Sequence, residues 1–425
     1  MNNNPLNDSH ESDSDAFEQM FHRSLQQHGF IFPETEEGIE ALRQRALTSN
    51  TPVPDDLPNA ATILAQGRIN SIRSWDFAPQ PEHDLTIKWQ TLLTKLKQAG
   101  FTEKFVKQRL VPQWAGNVLS DFDSKHESYQ TAIKQLLDRL TRIFAIPIED
   151  IVSSQPLPVP AYQSINTRYK KPVNTDLANI AAYTLYAKSL AAIVLKASAY
   201  LPVQPIPTDY REFRLQVISL YESLTFENTL RYVWSLGIPV LPLSDSVNFH
   251  GACFRFNNRN VIVLKQNTMS AIRWLFDLLH EVKHASDYLE ETTREVVESS
   301  ALFSPEMNLS DEEKAANQFA NDVVLDGRGG ELAIKVVNAA GGREQVLKAK
   351  VIEIARQEDV DPGALANYLA YLLKVQQGRN WWSTAVSLQS TNTNPRIIAK
   401  NVLNEYIRLN ALTVQEKDML ESALS

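Results

Sequence analysis

The sequence predicts an α+β protein, mostly helical, with a small β-sheet and helical domains flanking its central part. Three observations lead there. Segments such as Tyr129 to Phe144 place apolar residues at Ile133, Leu136, Leu137, Leu140 and Ile143, the spacing that lines one face of a helix. Two apolar runs, Ala252 to Phe256 and Asn260 to Leu264, flank Asn257-Asn258-Arg259, which is a hairpin signal. A connector carrying Pro156, Pro158 and Pro160 marks the best domain boundary.

Taken in order, residues 1–80 read as a partly disordered N-terminal arm. Its first 15 residues are rich in Asn, Ser and Asp, and short helical patterns follow at Phe17 to Leu25 and Ile39 to Leu47. Residues 81–155 form a helical unit broken at Gly100, Pro112 and Ser120 to Asp123, with a degenerate helix-turn-helix rhythm. Residues 174–330 hold the central unit, with helices near 175–200 and 209–235. The chain then passes through Gly237-Ile-Pro-Val-Leu-Pro-Leu243 to the hairpin and a long helix from about Ser270 to Leu289. Another helix runs from near Ser310 to Leu325 and stops at Gly327. Residues 331–425 are further helices, one of them opened by Asp361 as cap and Pro362 in the first turn.

Composition narrows the class. The chain has 425 residues, 43% hydrophobic and 22% charged, the profile of a soluble globular protein with enough material for a large core. A net charge of -8 gives no electrostatic reason for nucleic acid or an anionic membrane to be the main partner. A single cysteine, Cys253, excludes an internal disulfide and fits a reducing compartment. Met1 to Asp15 lacks the apolar stretch of a secretory signal. Leu177 to Leu201, the most apolar helical stretch, is interrupted by Lys188 and Lys196 and is too short between them to span a bilayer. A cytoplasmic protein is expected.

One motif carries chemistry. His280-Glu281-Val282-Lys283-His284 is an H-E-x-x-H sequence following the apolar stripe Ile272, Leu275, Phe276 and Leu279. Histidines at i and i+4 project from one helix face within reach of one metal ion, and Glu281, rotated a quarter turn, borders the ion without ligating it. A hydrolytic zinc site needs such a set: two imidazoles, one further ligand, an open position for water and a carboxylate base. The bland alternative is a solvated His/Glu/Lys/His face, against which the surrounding apolar residues argue.

The third ligand is open on residue chemistry alone. Glu313 shares a helical face with Asn317 and Ala320, whose neighbours are small enough to let another helix approach. Ser310-x-x-Glu313 is also a capping box, in which Glu313 would merely return to the Ser310 amide. Glu312 is the rival one position earlier.

Three segments together resemble the ImmA/IrrE family of zinc metallo-endopeptidases. Trp234-Ser-Leu-Gly-Ile-Pro-Val240 is similar to the family's W-x-x-G-I-P-V, and Arg273-Trp-Leu-Phe-Asp-Leu-Leu-His-Glu-Val-Lys-His284 to its R-x-x-F-x-x-x-H-E-x-G-H helix. Glu313-Lys-Ala-Ala-Asn-Gln-Phe-Ala320 is similar to its E-x-E-A-N-x-F-A helix. The likeness covers roughly residues 225–326. It implies a zincin-like core, Zn2+ held by His280, His284 and Glu313, Glu281 as catalytic base, and cleavage of a helix-turn-helix repressor in stress response or mobile-element control. Lys283, Ala315 and Asp326 depart from the family pattern without removing a ligand or the base. Asn317 and Asp277 compete to hold a ligating histidine's second nitrogen. Tyr288 and His250 are candidates to stabilise the oxyanion. The competing class is a DNA-binding regulator whose protease-like domain only senses metal.

Overall fold

The computed structural model describes residues 87–121, 124–157, 177–245, 249–299, 311–341 and 343–425. All of them belong to one compact unit, Asp84–Ser425. The N-terminal arm expected over 1–80, with its two short helices, lies outside the described residues.

The helical patterns become α1 (Trp89–Gln98), α2 (Glu127–Phe144), α3 (Leu177–Ala197), α4 (Tyr210–Tyr221), α5 (Phe226–Ser235), α6 (Ala271–Ser286) and α7 (Asp311–Leu325). After them come α8 (Gly329–Ala339), α9 (Glu344–Gln357), α10 (Pro362–Gln377), α11 (Pro395–Tyr406) and α12 (Val414–Leu424). The stretch expected as helical over 209–235 is two helices. Glu222 closes α4 in the left-handed conformation at φ 68, and Thr225 opens α5 by accepting from the Asn228 amide. Asp361 caps α10 through the Ala364 amide, with Pro362 in the first turn.

Four strands make a mixed sheet: β1 (Val240–Leu243), β2 (Phe249–Phe256), β3 (Arg259–Lys265) and β4 (Thr293–Ser299), in the order β1-β3-β2-β4. β1 runs parallel to β3, and the other pairs are antiparallel. The predicted hairpin is β2–β3, and its turn is two residues, Asn257 and Asn258, both at positive φ (49 and 64). Asparagine tolerates that conformation, and the twist of such a turn matches that of the strands it joins. Two strands were not foreseen. β1 is four residues long and contains Pro242, which an edge strand accepts. β4, Thr-Arg-Glu-Val-Val-Glu-Ser, has too little apolar alternation to read as a strand.

Alternation sorts the two faces of this sheet. Arg255 of β2 donates to the Ala285 carbonyl of α6, whereas Glu295 of β4, paired with the neighbouring Phe254, turns to Lys188 of α3. The sheet therefore lies between α6 and α3. Far from meeting lipid, α3 is central: Tyr183, Tyr186, Leu190 and Val194 are all buried. Among the described residues no helix is long and apolar enough to cross a membrane.

One apolar core runs from Ile87 through the sheet and α6 to Leu424. The segments expected as 81–155 and 174–330 share it. Two cations of the first segment are turned inward: Arg109 pairs with Asp245, while Arg139 pairs with Asp418 and donates to the Leu110 carbonyl at 3.2 Å. A second core joins Leu325, α8, α9, α10 and the turn around Trp381. The residues expected as one C-terminal domain, 331–425, thus divide between cores, since α11 and α12 bury Leu403, Met419 and Leu420 in the first.

Candidate metal centre

α6 is a helix pinned at both ends. Ser270 caps its start, accepting from the Arg273 amide at 3.3 Å and donating to Gln389 Oε1 at 2.6 Å. Its last carbonyls, which a helix leaves unsatisfied, are taken by side chains of the sheet. Arg255 Nη2 and Asn260 Nδ2 donate to the Ala285 oxygen at 2.8 and 2.9 Å, and Arg294 Nη1 to the His284 oxygen at 3.1 Å. Two guanidinium groups at the negative end of the helix dipole stop α6 at Ser286, short of the expected Leu289.

Between these anchors lie His280, Glu281 and His284, which are 2%, 1% and 1% exposed. α7 packs on α6 and carries Ala316 and Ala320, both fully buried, beside Glu313, which reaches the histidines. Glu313 Oε2 is 3.5 Å from His280 Nε2, and its Oε1 is 3.6 Å from His284 Nε2. The two Nε2 atoms are 3.0 Å apart. Ser310 lies outside the described residues, as does any capping bond to it; the Glu313 carboxylate faces the imidazoles.

The other ring nitrogens decide what this cluster can do. His280 Nδ1 is 3.1 Å from Asn317 Oδ1, and His284 Nδ1 is 3.3 Å from Glu312 Oε1. Asn317 Oδ1 and Glu312 Oε1 are acceptors, so a ring that carries its proton on Nδ1 is held there and directs its Nε2 lone pair inward. Two lone pairs and a carboxylate converging inside the protein make an arrangement that a cation stabilises and that burial otherwise penalises. Tetrahedral zinc with bonds of roughly 2.0–2.1 Å would need donor separations near ~3.4 Å. The observed 3.0, 3.5 and 3.6 Å lie on both sides of that value. His280, His284 and Glu313 could hold a metal ion.

No family model, curated protein or solved structure matches this chain. The reading of the site rests on its own geometry.

The remaining candidates are placed as follows. Asn317 sits against His280, and Asp277 accepts from Gln266 Nε2 at 2.5 Å. Tyr288 follows α6 in the left-handed conformation at φ 50, with the Arg294 guanidinium 4.2 Å above its ring. His250 is in β2 beside a shift in its pairing with β4, and its side chain lies outside the described residues. Lys283 pairs with Asp287, one turn on. Asp326 follows α7 in the left-handed conformation at φ 55.

Sequence reasoning missed three residues at this site. Gly251 of β2 lies against Glu281, where an added Cβ would stand 2.3 Å from Glu281 Oε1. A glycine inside a strand signals close approach and could have been read that way. Arg255 and Arg294 had no such signal, because an arginine facing a helix end looks like any other until the strands are paired. Burial pushes the Cys253 thiol up to about 12, with Glu281 adding to the effect, so this thiol is no nucleophile at neutral pH.

Proposed function

We propose that the chain is a cytoplasmic zinc endopeptidase of ImmA/IrrE type, built on a zincin-like core, that cleaves a helix-turn-helix repressor. The observation that carries the reading is the convergence of Glu313 from α7 on the two histidines of α6, with Glu281 held next to them and outside the triad. Zinc held by His280, His284 and Glu313 would supply Lewis acidity, making water a nucleophile at neutral pH and polarising the scissile carbonyl. Glu281 takes the proton of the attacking water and delivers it to the leaving amine, converting a poor leaving group into a good one. Asn317 and Glu312 keep each imidazole in the tautomer that presents Nε2.

The rival reading, a DNA-binding regulator, has less behind it. Arg109 and Arg139 of the helix-turn-helix-like segment are spent on internal ion pairs, and Glu103 binds Lys97 and Lys107 at 3.2 and 2.7 Å. That pattern suits a helical unit packing on the protease better than a face reading phosphates.

Co-expression with repressors encoded nearby is expected to yield one discrete fragment by mass spectrometry, absent with Glu281→Gln. Broad digestion of casein with every repressor left intact would replace regulation by housekeeping proteolysis. Sequence-selective DNA binding by the full chain, with no cleavage, would favour the regulator.

A further inference from the structure

The two imidazoles are held unequally. The His280 ring leans on a neutral amide, Asn317, whereas the His284 ring leans on a carboxylate, Glu312. Glu312 is itself bound by Arg294 of β4, and the pair is buried, with side chains 7% and 5% exposed for Arg294 and Glu312. The same guanidinium donates to the main-chain oxygens of His284 and Asp287 at 3.1 and 3.2 Å. One arginine thus grips both the helix that carries the ligand and the carboxylate that orients its ring.

We infer that Glu312 is a positioning residue for His284, locked in place by Arg294, so that strand β4 is built into the metal centre. A carboxylate accepting from Nδ1–H makes the opposite nitrogen a stronger donor and fixes the plane of the ring. A neutral amide does only the second. His284 is therefore the stronger nitrogen ligand, and its strength depends on β4 staying docked. Glu312 could also be grouped with His284 and Asp287 as a second set of metal donors. The charges oppose that: Arg294 stands on Glu312 and Lys283 on Asp287, so a second cation there would meet two already present.

This inference rests on the metal reading above, and its test separates the two. Zinc affinity of the full chain is measured by chelator competition, beside thermal unfolding of the metal-free protein. Glu312→Gln keeps the size and an acceptor oxygen but loses the charge, and is expected to weaken zinc binding about 10- to 100-fold. The variant also leaves Arg294 without its buried counter-charge, so the metal-free midpoint should fall. Zinc affinity is therefore read where the metal-free variant is still folded, and a loss of affinity there is what a merely structural role would not give. Arg294→Lys, which keeps a cation without the fork, is expected to weaken zinc in the same direction and serves if the first variant folds poorly. Zinc affinities within about twofold of the parent in both variants would overturn the inference and leave the metal reading intact. Loss of an oxygen donor from the zinc X-ray absorption spectrum of Glu312→Gln would also overturn it, making Glu312 a ligand. A parental chain that takes up no zinc would overturn the metal reading itself, before any variant is compared.

Discussion

Glu281→Gln is expected to lower the rate of peptide cleavage by at least about 10²–10⁴-fold while leaving fold and zinc content unchanged. Glutamine keeps the shape of the side chain and its packing against Gly251, but it cannot accept the proton of the attacking water. Because Glu281 is not among the three converging donors, its loss should not empty the site. Single-turnover cleavage and metal analysis on the same preparation check both halves. A variant that cuts at the parental rate would remove Glu281 from the mechanism. Loss of zinc together with activity would make it structural instead.

Gly251→Ala is expected to come close to the same loss of activity from the opposite side of the contact. The new Cβ would stand 2.3 Å from Glu281 Oε1 and 3.1 Å from its Cδ. β2 cannot retreat freely there, because Gly251 is paired with Leu264 of β3 and with Glu298 of β4. The carboxylate must therefore swing away. Because the crowded atom is the free end of a side chain, the cost in stability is small. The larger effect is on rate, since displacing a reacting group by about 1 Å can cost on the order of 10²-fold. Zinc should remain, as Gly251 is not one of the three donors. Gly116→Ala is the control: nothing lies within 4 Å of its added Cβ, so cleavage should be unchanged. Full activity in Gly251→Ala would mean that the base does not work from the position it holds here.

What could be read from the sequence follows from how local each signal is. The histidine pair at i and i+4, the stripe beneath it, the asparagine turn and the Asp361-Pro362 start are all written within a few residues, and each is where it was expected. Glu313 could not be separated from Glu312 that way, because adjacent residues on a helix differ by a hundred degrees of rotation and only the packing of α7 on α6 selects one. That packing turns Glu313 to the Nε2 atoms and Glu312 to the Nδ1 side. Arg255 and Arg294 were invisible for a related reason. Each lies opposite the other in the β2–β4 register, and their shared task at the end of α6 exists only once two strands and a helix are assembled. The sheet edges show the same limit: β1 and β4 are short or polar, and long-range pairing rather than local pattern makes them strands.

The proposed zinc site consists of His280, His284 and Glu313. Metal analysis of the full chain, purified without added metal, tests it most directly alongside His280→Ala and Glu313→Ala. Close to one zinc per parental chain is expected, with near-empty sites in both variants. Parental protein without zinc, or variants that keep the parental content, would contradict it.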